Sequence, residues 1–493
     1  MLGVEPHFFP LAVYACIAAL LCFLLPYHIR QRKLASQTQR RLSFGASEAP
    51  IESGLSVVKD GMRAMKDHRL LELSSNRFGA IGSNTVHVKF PGGHFYETAD
   101  PENLKTMLSS DFRKWGLAKA RKDTFRPVMG EGIFIAEGAK WKHSRALLRP
   151  MFSRTQLENF AIFEDQATHL VNAIVRADGK VDLRDMFFRM TLDTSLEFLM
   201  GESMSSLASP EDAKRSAMNS ALHRVEVHIS SGGGLGNSVI LPRLAKREEI
   251  LHRDDEGLSD GERPTFLDEL VKQTNDLTEI GDEILSTLFA GRDTTASLLT
   301  NIFFVVSRRP DIWRALQEEI NQALPDGQRP NSDQLKQLKY LRALVNESLR
   351  LHPVIPGNTR QALEDTVLPS GGGPDGTAPV FIPKGEMVRF NTFAMQRRKD
   401  LYGEDALDFR PERWLDTGSF KGLRVSWEYI PFGGGPRICL GQMFALNHAM
   451  YTIVRMCQEF SQIESWGEEE VWREDITMGV CTNFSGAKVV LRK

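Results

Sequence analysis

The stretch PFGGGPRICLGQ, residues 431–442, sets one cysteine between a glycine run and a helix start, two residues after an arginine. Gly433, Gly434 and Gly435 let the backbone turn tightly and pass close to a flat ligand. Amides at the head of a helix beginning after Cys439 point toward its sulfur, and hydrogen bonds to sulfur favour the thiolate. Arg437 supplies a cation suited to a carboxylate, and Gly441 leaves room behind a ligand. The competing reading is a structural cysteine beside a surface arginine. So many positions specified at fixed spacing favour a metal ligand, and a haem has both the iron and the carboxylates that this array would serve.

Other stretches carry residue types suited to the same chemistry. WKHSR (141–145) sets Trp141 and Arg145 at i and i+4 on one helical face, where an indole N–H and a guanidinium can reach one carboxylate. His143 falls off that face. AGRDTT (290–295) combines small Ala290 and Gly291 with Asp293 and with Thr294, whose hydroxyl can bend back to a carbonyl or hold a water. In NESLR (346–350), Glu347 and Arg350 stand at i,i+3, a spacing that alone usually marks a solvated face. FRPERW (409–414) follows, and then the cysteine stretch.

In this order and at this spacing the motifs resemble those of the cytochrome P-450 superfamily of haem-thiolate monooxygenases, over nearly the whole chain after its apolar N-terminal run. The resemblance implies a mainly α fold with minor β and a haem b whose axial ligand is Cys439. Trp141, Arg145 and Arg437 would hold the haem propionates, with Arg360, in GNTR, a further candidate. It implies a structural triad in which Arg413 joins Glu347 and Arg350 and locks the cysteine loop. Gly291 would let bound dioxygen lie close to the long helix, Asp293 and Thr294 would relay protons, and Thr295 would support them. No nicotinamide or flavin fingerprint occurs in the sequence, and PSGGGPDG (369–376) lacks the lysine of a phosphate loop and reads as a hairpin connection. Electrons are therefore expected from NADPH through a separate flavoprotein, NADPH-cytochrome P-450 reductase, docking on a basic face, with cytochrome b5 a second expected donor. Within the superfamily, KWKHSRALLRPMFS, FAGRDTTASLL and GPRICLGQMFAL look most like the fungal alkane and fatty-acid hydroxylase branch. A tailoring oxidase of secondary metabolism is the competing substrate reading. The stretch between residues 229 and 264 is short for the helix pair that roofs the pocket in that family. This keeps open a catalytically dead haem-binding protein, beside a haem-thiolate isomerase or dehydratase that does not use dioxygen.

These residues need long helices to carry them. Residues 281–309 read as one apolar helix, 310–324 as an amphipathic helix opened by Pro310, and 332–353 as another ended by Pro353. TVHVKF (85–90) and APVFIP (378–383) read as strands. Residues 8–29 carry no Asp, Glu, Lys or Arg, enough for a transmembrane helix, and basic residues follow from Arg30. The expected layout is a luminal 1–7, an anchor over 8–29, a polar linker over 30–50 hinged at SEAP, and a catalytic domain over 51–493 facing the cytoplasm from the endoplasmic reticulum. Net charge is −2 over 493 residues, giving no global field for nucleic acid. Five scattered cysteines without a CxxC pair exclude a disulfide framework and a zinc ribbon and suit a reducing compartment.

Overall fold

The computed structural model describes residues 36–153, 160–208, 265–416, 421–477 and 479–493. The expected anchor over 8–29 and the short segment over 229–264 both lie outside the described residues. The longer helices are α1 (Leu55–Lys66), α2 (Leu70–Ile81), α3 (Lys119–Met129), α4 (Gly138–Leu148), α5 (Ala161–Arg176) and α6 (Leu183–Met200). They continue with α7 (Phe266–Gln273), α8 (Leu277–Val306), α9 (Pro310–Ala323), α10 (Lys339–Leu351) and α11 (Gln442–Glu459). Six strands form the main sheet: β1 (Ile51–Ser53), β2 (Thr85–Phe90), β3 (Gly93–Thr98), β4 (Trp115–Gly116), β5 (Gly357–Ala362) and β6 (Met387–Asn391). Their order is β1-β2-β3-β6-β5-β4, with β1 parallel to β2, β3 parallel to β6 and the other pairs antiparallel. Arg360 sits on β5 opposite Val388 of β6. Thr366–Gly372 and Ala378–Ile382 pair as the expected hairpin, bulged between Leu368 and Gly372.

Helix α8 organises the rest. Its 30 residues span about 45 Å at 1.5 Å per residue. It starts at Leu277, four residues before the expected Gly281, because the Asp276 side chain accepts from the Thr278 and Glu279 amides as an N-cap. One apolar core packs α5, α6 and α8 to α11 together, with Phe187, Phe303 and Tyr451 fully buried; a second fills the space under the main sheet.

Two expectations are corrected by local packing. The single helix expected over 332–353 is two, Ser332–Gln337 and α10, broken at Leu338 (φ −73°, ψ 87°). The Glu319 carboxylate on α9 accepts from the Tyr340 and Leu341 amides, at 2.7 and 2.9 Å, and so starts α10 afresh. The hinge at SEAP is instead bound to the hairpin: the Ser47 amide donates to Pro379 O at 2.7 Å, and Ala46 and Ala49 are buried.

Candidate active site

The cysteine loop takes its shape from two glycines in the left-handed region, Gly433 (φ +74°) and Gly435 (φ +66°). A Cβ on Gly435 would lie 1.7 Å from Leu108 O, and one on Gly434 would enter the Trp427 ring at 2.5 Å. The Cys439 amide donates to Phe432 O at 3.0 Å and closes the loop. The Gly441 amide, at the head of α11, hydrogen-bonds the Cys439 sulfur. Cys439 is exposed at its own surface yet enclosed by protein beyond it, as a side chain on the wall of an internal space would be. Burial therefore raises its thiol pKa, while the Gly441 amide and Arg145 act to lower it. A coordinated cation is what would complete the shift to thiolate. Gly435→Ala combines strained backbone with a main-chain clash; we expect it to cost about 3 kcal/mol, read as a lower thermal midpoint and a lower haem-to-protein ratio.

Buried ion pairs brace this loop. Glu347 and Arg350 on α10 are fully buried and paired side-on, Arg350 Nη2 and Nε donating to the two carboxylate oxygens at 2.8 and 2.9 Å. Arg413 Nε donates to Glu347 Oε1 at 2.8 Å and Trp414 Nε1 donates to Oε2 at 2.9 Å. Burial opposes ionisation of Glu347, but Arg350, the Arg410 amide and Arg413 outweigh it and hold the carboxyl below its ordinary value. Gln396 carries the brace onward: its amide nitrogen donates to the Leu349 and Arg350 carbonyls, and its oxygen accepts from the Ile430 amide just before the cysteine loop.

Arginines gather beside the cysteine. Trp141 on α4 is buried, with the guanidiniums of Arg437 and Arg145 over its ring at 4.6 and 5.8 Å. Arg145 Nη1 donates to Ile438 O, next to the cysteine, and Arg437 Nη2 to Ala136 O. Arg360 is buried; burial first, then repulsion from Arg121 and Arg437, lowers its pKa to about 9. Burial lowers Arg437 to about 10, with Glu137 opposing and Arg121 and Arg145 adding to the shift. Sequence reasoning missed Arg121, because its helix α3 reads as an ordinary solvated run with Lys119, Lys122 and Arg126. Its Nη1 donates to Asn358, and its buried Nε has no partner. Cations that repel one another around an orphaned N–H suit an anionic group with more than one carboxylate.

On α8, Phe289–Thr294 form a continuous part-buried run between the mostly buried stretches 280–288 and 295–306. Thr294 Oγ1 donates to Ala290 O at 2.6 Å, the expected back-bond, within a helix that runs unbroken. Burial raises the Asp293 carboxyl pKa, opposed by Arg292 at 3.4 Å; its Oδ1 is buried and accepts no hydrogen bond. A Cβ on Gly291 would lie 2.9 Å from Ser195 Oγ, so this glycine also lets α6 cross α8. Thr191, on the same face of α6, donates to Arg292 O at 2.8 Å. His143 pairs with Glu279 and stays out of the site.

The sequence matches the Cytochrome P450 family over residues 96–231 and 237–490. The chain belongs to the cytochrome P450 family. It is 38% identical to Cytochrome P450 monooxygenase himC of Aspergillus japonicus, over 94% of this chain and 87% of that protein. Cytochrome P450 52E1 of Candida apicola is 38% identical over 83% of this chain and 84% of its own length. Cytochrome P450 52A1 of Candida tropicalis is 39% identical over 78% and 75%. As a P450, the chain is a haem-thiolate monooxygenase, mainly helical with some sheet. The residues present fit the haem such a protein carries: an enclosed sulfur facing open space, and beside it a guanidinium cluster short of carboxylates.

Proposed function

We propose that this P450 inserts one oxygen atom from dioxygen into a C–H bond of a lipophilic substrate, with Cys439 as the haem ligand. The observation that carries the reading is the enclosed Cys439 sulfur, which accepts from the Gly441 amide within reach of the Arg145 charge. Arg121, Arg145, Arg360 and Arg437 would hold the propionates, with the Trp141 ring beneath two of the guanidiniums. When bound, the haem supplies dioxygen reduction and the oxidant for the C–H bond.

The chain's own share is protons and enclosure. Reducing the second oxygen atom to water consumes protons, and the Asp293 carboxyl, whose pKa burial raises, would pass them inward. Thr294 spends its own proton on Ala290 O, so its oxygen lone pairs are left to accept a hydrogen bond from a proton carrier. Thr294→Ala is therefore expected to retain haem and consume NADPH while product per NADPH falls on the order of 10-fold or more. Full coupling in that variant would overturn the relay.

Electrons would come from NADPH through NADPH-cytochrome P450 reductase. Residues 8–29 would anchor the chain in the endoplasmic reticulum membrane, with the catalytic domain in the cytoplasm. Among the described residues no helix is long and apolar enough to cross a membrane. The anchor reading gains support from Leu42, Leu55, Met62 and Met65, apolar side chains left exposed near the start of the described chain. For the substrate we favour a long aliphatic chain over a secondary metabolite, on the likeness of the motif sequences to the alkane and fatty-acid hydroxylase branch. Product analysis on a panel of both classes decides between them.

A further inference from the structure

Two adjacent acids on α8, Asp282 and Glu283, are buried. Glu283 is 1% exposed, and the charged groups acting on it, among the described residues, are Asp282 and Glu279, both acidic. Burial raises its carboxyl pKa, so its ionised form costs stability above the ordinary pKa of a glutamate. A side chain kept at such a cost is doing something besides holding the core together.

What these acids hold is a short segment leading into α4. The Glu131 amide donates to Asp282 Oδ2 at 2.7 Å and the Ile133 amide to Glu283 Oε2 at 3.2 Å. Gly130, at φ +57°, passes so close that a Cβ would lie 1.9 Å from Asp282 Oδ1; one on Gly132 would lie 2.4 Å from Ser286 Oγ. Ser144 of α4, the residue before Arg145, hydrogen-bonds Glu283. From the same segment, Ala136 O accepts from Arg437 at 2.8 Å. The clasp thus acts on both arginines that flank the Trp141 ring, through Ser144 on one side and Ala136 on the other.

We propose that Asp282 and Glu283 are positioning residues whose carboxylates clasp residues 130–136 and α4 onto α8, holding Arg145 and Arg437 where the haem propionates bind. The proposal rests on the haem reading above. It makes α8, the helix of Asp293 and Thr294, also the element that sets the propionate cations.

The test is the rate of haem transfer from the purified full-length holoenzyme to excess apomyoglobin, with thermal unfolding measured alongside. Glu283→Ala should speed haem loss about 10-fold, because it strands two donors. Glu283→Gln keeps an acceptor oxygen and sheds the buried charge, so it should stay within about 2-fold of wild type with an equal or higher thermal midpoint. In an Arg145→Ala/Arg437→Ala background, Glu283→Ala should add less than about 2-fold, since its targets are gone. Ser144→Ala, a gentler cut on the α4 side, should speed haem loss in the same direction and carries the test if Glu283→Ala does not fold. Unchanged haem loss in Glu283→Ala and Ser144→Ala, or the same factor with and without the two arginines, overturns the clasp. A wild-type protein that binds no haem overturns the parent reading instead.

Discussion

Cys439→Ala yields a folded protein with no monooxygenase turnover. The side chain contributes little to packing, since it is exposed at its own surface, while its amide and the Gly441 amide are main-chain groups that survive the change. Thermal unfolding of the apoprotein should therefore move little, by about 1 kcal/mol or less. Loss of the only proposed sulfur ligand should remove product formation entirely. Activity in Cys439→Ala comparable to wild type would mean that the thiolate is elsewhere; Cys457 and Cys481, both buried with thiol pKa values raised by burial, are poorly placed to substitute.

Glu347→Ala has the opposite signature, in that the fold fails before the chemistry. It leaves Arg350 fully buried and Arg413 nearly so, with their shared carboxylate gone. Breaking a buried ion pair this way costs about 3–5 kcal/mol, a large part of the roughly 5–15 kcal/mol that separates folded from unfolded domains. The Arg410 amide and Trp414 Nε1 lose their acceptor as well. The loss should spread through Gln396 to Ile430 and the cysteine loop, so the expected result is little or no haem-loaded protein. The contribution is also pH-dependent. Because the fold holds the Glu347 pKa below its unfolded value, its stabilisation is present above the ordinary glutamate pKa and fades as pH falls through the folded one. Glu347→Ala protein with wild-type haem content and thermal midpoint would contradict this role.

The chemistry was more legible in the sequence than its supports. The arrangement around Cys439 could be read because several unusual types at fixed spacing meet in one short loop, and the structure adds the reason for two of the glycines: Leu108 O and Trp427 leave no room for a Cβ. Arg413 was placed with Glu347 by resemblance, since 66 residues separate them; no local pattern shows such a pairing. Arg121 was hidden among solvated neighbours of like charge, where type and spacing carry no signal of burial. The packing of Gly291 against Ser195, on another helix, carries no signal in the local sequence. The break at Leu338 could not be seen either, because it is imposed by Glu319 from a helix earlier in the chain. Asp282 and Glu283 look like two polar residues at the start of an apolar helix, and only the return of residues 130–133 onto them reveals a buried site.

The most direct measurement is the carbon-monoxide difference spectrum of the reduced wild-type protein, repeated on Cys439→His. With Cys439 as ligand, the wild type shows the red-shifted Soret band of thiolate-ligated haem, and the histidine variant shows the shorter-wavelength band of an imidazole ligand if it retains haem. A thiolate band that persists in Cys439→His, or a wild type that shows none, would contradict the assignment.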